Sequence, residues 1–274
     1  MQACRLNRFL ASRGVASRRA CDDIIRAGRV RVNDAAVLLP GTRVVPGKDV
    51  IAVDGHPLPG EPEPKYIVLN KPAGVIVTAK DTRKRKAVTE LIPSSVGRVF
   101  PVGRLDLNTE GLLLLTNDGP LAFTLTHPRY GVEKTYEVLV KERPDECALK
   151  ALAEGVDFGE VFTSSPAKVS YLGFREEGHP GRGETKGWQA KDGGVKGASV
   201  TSGHLIRLTI CEGKKRQVRR MCKAVGLTVV SLVRTGFGPL KLGDLPTGSW
   251  RELTGSELKA LMACAGDKVD GSSE

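Results

Sequence analysis

Four prolines within ten residues, at positions 57, 59, 62 and 64 of the run His56 to Lys65, divide this chain. Each fixes its own φ and removes a backbone donor, so neither a helix nor a central strand passes through such a run. A semi-stiff linker is expected at 58–65, between a small unit at 1–57 and a larger one at 66–265, with a polar tail at 266–274. Hydrophobic residues make up 40% of the chain, enough for each unit to build a core.

In the small unit, Leu6, Phe9 and Leu10 recur at helical spacing and Gly14 can stop that helix. Ser17 can cap a second helix that carries Ala20, Cys21, Ile24 and Ile25 and ends at Gly28. Alternation then takes over, with Val30, Val32, an Asn33-Asp34 turn, Val37, and Val50 to Val53 before Asp54-Gly55. Two helices followed by a small curled sheet are expected. Arg5, Arg8, Arg13, Arg18, Arg19, Arg26, Arg29, Arg31, Arg43 and Lys48 are opposed there only by Asp22, Asp23, Asp34, Asp49 and Asp54. So many arginines on two helices and their loop favour a phosphate-binding face over a merely solvated surface. Arg5, Arg8, Arg18, Arg19, Arg29 and Arg31 are its candidate contacts.

The net charge of +11 points to a polyanion, nucleic acid before anionic membrane. No apolar run approaches the roughly 20 residues of a membrane span, and no amphipathic helix has a large apolar face. Arg5 and Arg8 occupy the place of a signal peptide's apolar stretch and lie inside a patterned helix, which disfavours secretion and organelle import. The six cysteines form no C-x-x-C pair and the four histidines do not cluster with them. That spacing argues against a zinc site or a disulfide framework and suits a reducing cytoplasm.

In the larger unit, Ile67 to Leu69 and Val75 to Val77 read as strands around the Lys71-Pro72-Ala73-Gly74 turn. Leu112 to Leu115 form a short, fully buried strand closed by Asn117-Asp118-Gly119. Thr135 to Val140 and Leu205 to Ile210 alternate, and helices are expected at 120–126, 145–154, 214–225 and 256–264. Interleaved strands and helices with short turns indicate an α+β fold with a mainly antiparallel sheet flanked by helices. Between Phe174 and Gly203 glycines alternate with lysines and glutamates, as in a long mobile insertion within a hairpin.

Two stretches could carry chemistry. Gly103-Arg104-Leu105-Asp106-Leu107-Asn108-Thr109-Glu110-Gly111 is a polar, glycine-bearing loop leading into the buried leucines. Polar groups so placed end at the rim of a rigid sheet, where sites are built. Taken alone, the window slightly favours Asp106 capping a turn and pairing with Arg104 on the surface. The second stretch, Glu212 to Lys223, puts Val218, Met221, Cys222 and Val225 on one helical face. Arg216, Arg220 and Lys223 point away from it, while Arg219 lies on its flank and wants an anionic partner, structural or catalytic. Lys71, Lys214, Lys215, Arg216 and Arg220 complete the candidate nucleic-acid contacts of this unit. No G-x-S-x-G, P-loop, G-x-G-x-x-G after a strand or H-E-x-x-H is present, so hydride transfer, nucleotide hydrolysis and zinc hydrolysis have no support.

Together these stretches resemble the bacterial ribosomal-RNA pseudouridine synthases over nearly the whole chain. Residues 5–55 resemble their S4-like RNA-binding domain, including Gly14, Ser17-Arg18-Arg19, Ile25 and Gly28 to Asn33. Gly103 to Gly119 resembles the catalytic motif, Lys134-Thr135-Tyr136 and Glu212 to Met221 the two remaining active-site segments, and Gly236 to Leu253 the closing segment. The resemblance implies that Asp106 is the essential carboxylate, that Arg219 pairs with it, and that Tyr136 stacks on the target base. It implies also that Arg104 fills the space left by a flipped base. It implies no cofactor or metal. The partner would be ribosomal RNA, with Gly236 to Leu240 and the basic helix closer to the large-subunit branch, and nothing demands more than a monomer. The same reaction on small-subunit RNA or a tRNA, or a non-catalytic RNA-binding protein of this fold, are the alternatives.

Overall fold

The structure is a computed structural model that describes residues 2–78, 85–157, 163–175 and 202–270. By its contacts the chain forms two compact units, Met1–Pro64 with Asn117–Gly119, and Lys65–Thr116 with Pro120–Glu274.

In the first unit, strand β1 (Cys4–Arg5) leads into helix α1 (Leu6–Ser12), and α2 (Arg18–Arg26) follows. Ser17 caps α2 by accepting from the Ala20 N–H at 3.2 Å, and Gly14 and Gly28 adopt the positive φ that ends each helix. Asn7 Nδ2 donates to Asp22 Oδ1 at 2.7 Å and ties the helices together. Strands β2 (Val30–Val32), β3 (Ala35–Val37), β4 (Arg43–Val44), β5 (Ile51–Val53) and β6 (His56–Pro57) complete the unit. Asn33-Asp34 and Asp54-Gly55, all at positive φ, make the tight turns of the hairpins β2–β3 and β5–β6. Leu6, Leu10, Cys21, Ile25, Val30, Val44 and Ile51 form the core. The proline run is thus ordered further than expected: Pro57 pairs on a sheet edge, where a missing donor costs nothing, and Leu58 packs on the core.

The second unit is built on one sheet. Its strands in chain order are β7 (Tyr66–Lys71), β8 (Phe100–Pro101), β9 (Glu110–Thr116), β10 (Lys134–Val140), β11 (Lys168–Arg175), β12 (Gly203–Ile210), β13 (Val229–Phe237), β14 (Leu240–Lys241) and β15 (Trp250–Glu252). The spatial order is β11-β12-β10-β13-β9-β7-β15, with β14 on β13 and β8 on β9. Every pairing is antiparallel except β13 with β9. Helices α3 (Gly119–Thr126), α4 (Glu146–Glu154), α5 (Gln217–Ala224) and α6 (Gly255–Asp270) flank it. Leu113 and Leu115 face one core with Tyr136, Val138 and Met221, while Leu112 and Leu114 face another with Leu125 and Leu261. A strand buried on both faces explains the unbroken leucine run.

Three expectations need correction. Val75 to Val77 make no strand; Ile76 forms an isolated bridge with Ala87. The basic helix begins at Gln217, not at 214, because Arg216 takes a left-handed conformation (φ 53°). The last helix runs to Asp270, so the tail does not begin at 266. The insertion between β11 and β12 lies outside the described residues apart from its ends, where Arg175 pairs with Gly203. No described helix is long and apolar enough to cross a membrane.

Candidate active site

Asp106 stands on the loop that feeds β9, at the point where three strands meet. β9 pairs with β7 (Lys71 opposite Gly111) and, in parallel, with β13 (Arg234 opposite Gly111). The loop is fixed by burial and by its backbone: Leu105 and Thr109 are buried, Thr109 N–H donates to Asp106 O, and Gly74 N–H donates to Leu107 O. Asp106 remains half-buried between them, and Arg104 is exposed.

The strongest restraint on the loop comes from beneath. Lys71 does not face RNA, contrary to the expectation from its turn: it is 0% exposed. Its Nζ donates to the carbonyls of Pro72 (2.8 Å), Thr109 (2.8 Å) and Leu107 (3.2 Å), clamping the Asp106 loop to the Pro72 turn. Burial pushes the Lys71 ammonium down to about 8, opposed by the charges of Glu110 and Asp106. Burial likewise raises Glu110, with Lys71 opposing.

That shift has a measurable consequence. Between about pH 8 and the ordinary 10.5, the unfolded chain holds the Lys71 proton and the folded one releases it. The burial penalty is therefore full below pH 8 and lifts as pH rises. Denaturant melts should show wild type gaining on Lys71→Met, by up to about 3 kcal/mol, between pH 8 and 10.5. A stability difference that stays flat with pH would show that the amine titrates normally.

A cleft of about 680 Å³ opens above the loop. Asp106, Arg104 and Tyr136 line it, and so do Lys214, Lys215 and Arg216 from the segment before α5. Tyr136, on β10, is 8% exposed. The basic segment is knitted by Gln217, whose Oε1 accepts from Lys214 N–H at 2.9 Å and whose Nε2 donates to Glu212. Lys214 Nζ also reaches Glu212 at 3.1 Å, which leaves it part-neutralised.

α5 buries Val218, Met221 and Cys222 as its spacing requires. Cys222, pushed up to about 12 by burial, is an inert thiol. Arg219, on the flank, turns to the Asp106 loop, but its Nη2 donates to the Asn108 carbonyl at 2.8 Å, and no ion pair within 4.0 Å joins it to Asp106 among the described residues. The implied direct pair is thus replaced by a longer-range one: burial and Arg216 lower the pKa of Arg219, while Asp106 raises it. Arg219 Nε is buried without a hydrogen-bond partner. Arg220, the remaining basic candidate of α5, is half-buried.

Two residues that line or underlie the cleft escape the sequence reading. Arg85 lines it. Arg234 on β13 lies opposite Tyr136, is 2% exposed and donates from Nε to Leu112 O at 2.8 Å. The alternation Leu232, Arg234 on a core-facing strand is the available signal for the latter.

In the other unit Arg5, Arg8, Arg18, Arg19, Arg29 and Arg31 are all exposed. Arg29 is engaged with Asp54 (2.6 and 2.8 Å), and Arg31 donates to Asp34 O. Arg5, Arg8, Arg18 and Arg19 have no ion-pair partner among the described residues.

The family model described as RNA pseudouridylate synthase matches residues 65–224, and that of the S4 domain matches residues 4–50. The chain is 41% identical over 261 residues to the ribosomal large subunit pseudouridine synthase B of Bacillus subtilis, covering 95% of this chain and 96% of that protein. It is 39% identical over 270 residues to an uncharacterized RNA pseudouridine synthase of Aquifex aeolicus, covering 98% and 97%. A crystal structure of a pseudouridylate synthase superposes with a TM-score of 0.62 at 30% identity, covering 94% of this chain and 99% of that one.

Proposed function

Because this chain belongs to the RNA pseudouridylate synthase family, we propose that it isomerises one uridine of large-subunit ribosomal RNA, with Asp106 as the carboxylate that begins the reaction. The observation that carries this reading is the convergence of Asp106, Arg104 and Tyr136 in one cleft rimmed by Lys215 and Arg216. A positively charged rim attracts an anionic substrate to the carboxylate. The similarity to a large-subunit enzyme of Bacillus subtilis supports the choice of RNA.

Isomerisation breaks the N1–C1′ bond of uridine and forms a C5–C1′ bond. One proton must leave C5 and one must end on N1, so the reaction consumes no oxidant, reductant or group donor. What the protein must supply is a base outside the helix stack, a fixed carboxylate and a route for protons. Asp106 is the carboxylate, and Lys71 and Arg219 hold its loop by carbonyls rather than by the carboxylate itself. Tyr136 presents its ring to the flipped base from the cleft floor. Arg104, exposed on the same loop, is free to enter the gap left in the RNA.

Pseudouridine mapping of total RNA from cells with and without this gene tests the reading. One large-subunit site should disappear and return with the wild-type gene; a site lost instead from small-subunit RNA or a tRNA would reassign the substrate. No lost site in any RNA would favour a binding protein.

The N-terminal arginines give a second test. Arg18→Ala with Arg19→Ala should flatten the salt dependence of RNA affinity, by about 0.7–0.9 in log–log slope for each phosphate that is no longer neutralised. Arg29→Ala should change it less, because Asp54 already neutralises that guanidinium. Equal slopes for wild type and the double variant would remove Arg18 and Arg19 from the interface.

A further inference from the structure

Arg234 is a cation sealed inside the sheet beneath the cleft, 2% exposed and without a carboxylate partner among the described residues. A hydrophobic residue of similar volume packs at such a place without the desolvation cost, so the charge is not there for stability. Part of its role is visible. The parallel ladder between β9 and β13 ends where Arg234 faces Gly111, and Arg234 Nε takes over the next carbonyl, that of Leu112. That uses one of five donors. Nη2 is buried with no hydrogen-bond partner.

The backbone shows where the rest of the group is aimed. Arg234 stands directly opposite Tyr136 in the β10–β13 ladder, and the register slips at that pair, so that Thr135 faces Gly236. A bulge of this kind re-aims a side chain. β13 lies close against β9 here, since a Cβ at Gly111 would sit 2.3 Å from the Arg234 carbonyl oxygen. Burial pushes the guanidinium's pKa down, and Tyr136 is the group that opposes it.

We propose that Arg234 is the positioning residue of Tyr136, orienting the phenol hydroxyl at the cleft floor towards the base. This rests on the reading of the cleft as a uridine site. A merely structural Arg234 would serve the Leu112 carbonyl and leave Tyr136 indifferent to it.

The test has one arm that needs no activity. The protein contains four tyrosines, at 66, 130, 136 and 171. With ring-carbon-labelled tyrosine, each signal can be assigned by Tyr→Phe substitution. Arg234→Gln should move the Tyr136 signal alone, and Arg234→Lys, which keeps the cation and a donor for Leu112 O, should restore part of the shift. A Tyr136 signal unmoved in both variants overturns the proposal; should the Gln variant fail to fold, the Lys variant alone decides. In the second arm, Arg234→Gln should lower kcat about tenfold or more with KM within about threefold. On a Tyr136→Phe background the same change should cost less than about twofold, because the two residues act as one unit. Losses that multiply instead also overturn it. A wild-type protein inactive on every RNA would count against the assigned reaction, while the tyrosine signals would still decide the role of Arg234.

Discussion

Asp106→Asn is expected to lower turnover by at least about 10³-fold while RNA affinity stays within about twofold. The substitution keeps the volume and removes the charge. It leaves the loop in place, since the restraints on it are the Lys71 and Arg219 bonds to the carbonyls of Leu107, Asn108 and Thr109 and the buried side chains of Leu105 and Thr109. The rim and N-terminal cations proposed to contact phosphate are untouched. Release of tritium from RNA labelled at uridine C5 measures turnover directly, because that proton must leave for the C–C bond to persist. Binding is read on the same RNA by filter retention. A variant with the wild-type rate would strip Asp106 of its assigned role; one that lost affinity in parallel would mean the carboxylate organises the RNA surface instead.

Gly111→Ala is expected to destabilise the second unit by about 3–5 kcal/mol. Two independent causes act at this position. Its φ of +102° belongs to a region that side chains rarely occupy, and the added Cβ would lie 2.3 Å from Arg234 O and 2.8 Å from Arg234 N. Both are backbone atoms of the neighbouring strand, so no rotamer change relieves the contact. Gly119→Ala supplies the control, since nothing lies within 4 Å of a Cβ there. In urea, the Gly111 variant should show a much lower midpoint with the slope of wild type, and the Gly119 variant should melt near wild type. A Gly111 variant as stable as wild type would mean that β9 and β13 are not pressed together.

The sequence makes some of this legible because some of it is local. Ser17, Gly28, Asn33-Asp34 and Asp54-Gly55 announce the N-terminal unit through caps and turns that depend on a few neighbouring residues. The run from Leu112 to Leu115 is buried on both sides whatever packs against it. Helical spacing correctly separates Val218, Met221 and Cys222 from the charged face of α5. Lys71 is misleading because its neighbours in sequence are turn residues, whereas two of the carbonyls that bury it arrive from residues 107 and 109. For Arg219, helical geometry gives a direction but not the hydrogen-bond acceptor at its end, which is the Asn108 carbonyl rather than the Asp106 carboxylate. Val75 to Val77 have the composition of a strand but find no ladder, only one bridge. Strands β11, β13 and β15 carry serine, arginine, glycine or glutamate within their runs and show themselves only through their partners.

The position of β9 also fixes when during synthesis this protein can become an enzyme. Gly111 needs Lys71 on one side and Arg234 on the other, and β7 in turn needs Trp250 to Glu252 along its free edge. Loop closure over such separations is slow, and the pairing around Gly111 is incomplete until β13 has left the ribosome. The N-terminal unit, whose core lies between Leu6 and Ile51, has no such wait. A nascent chain therefore acquires its first folded unit early and its chemistry last. Stalling within β13 leaves Asp106 beside a strand still open on one side: a chain that can carry a folded N-terminal unit but no working centre.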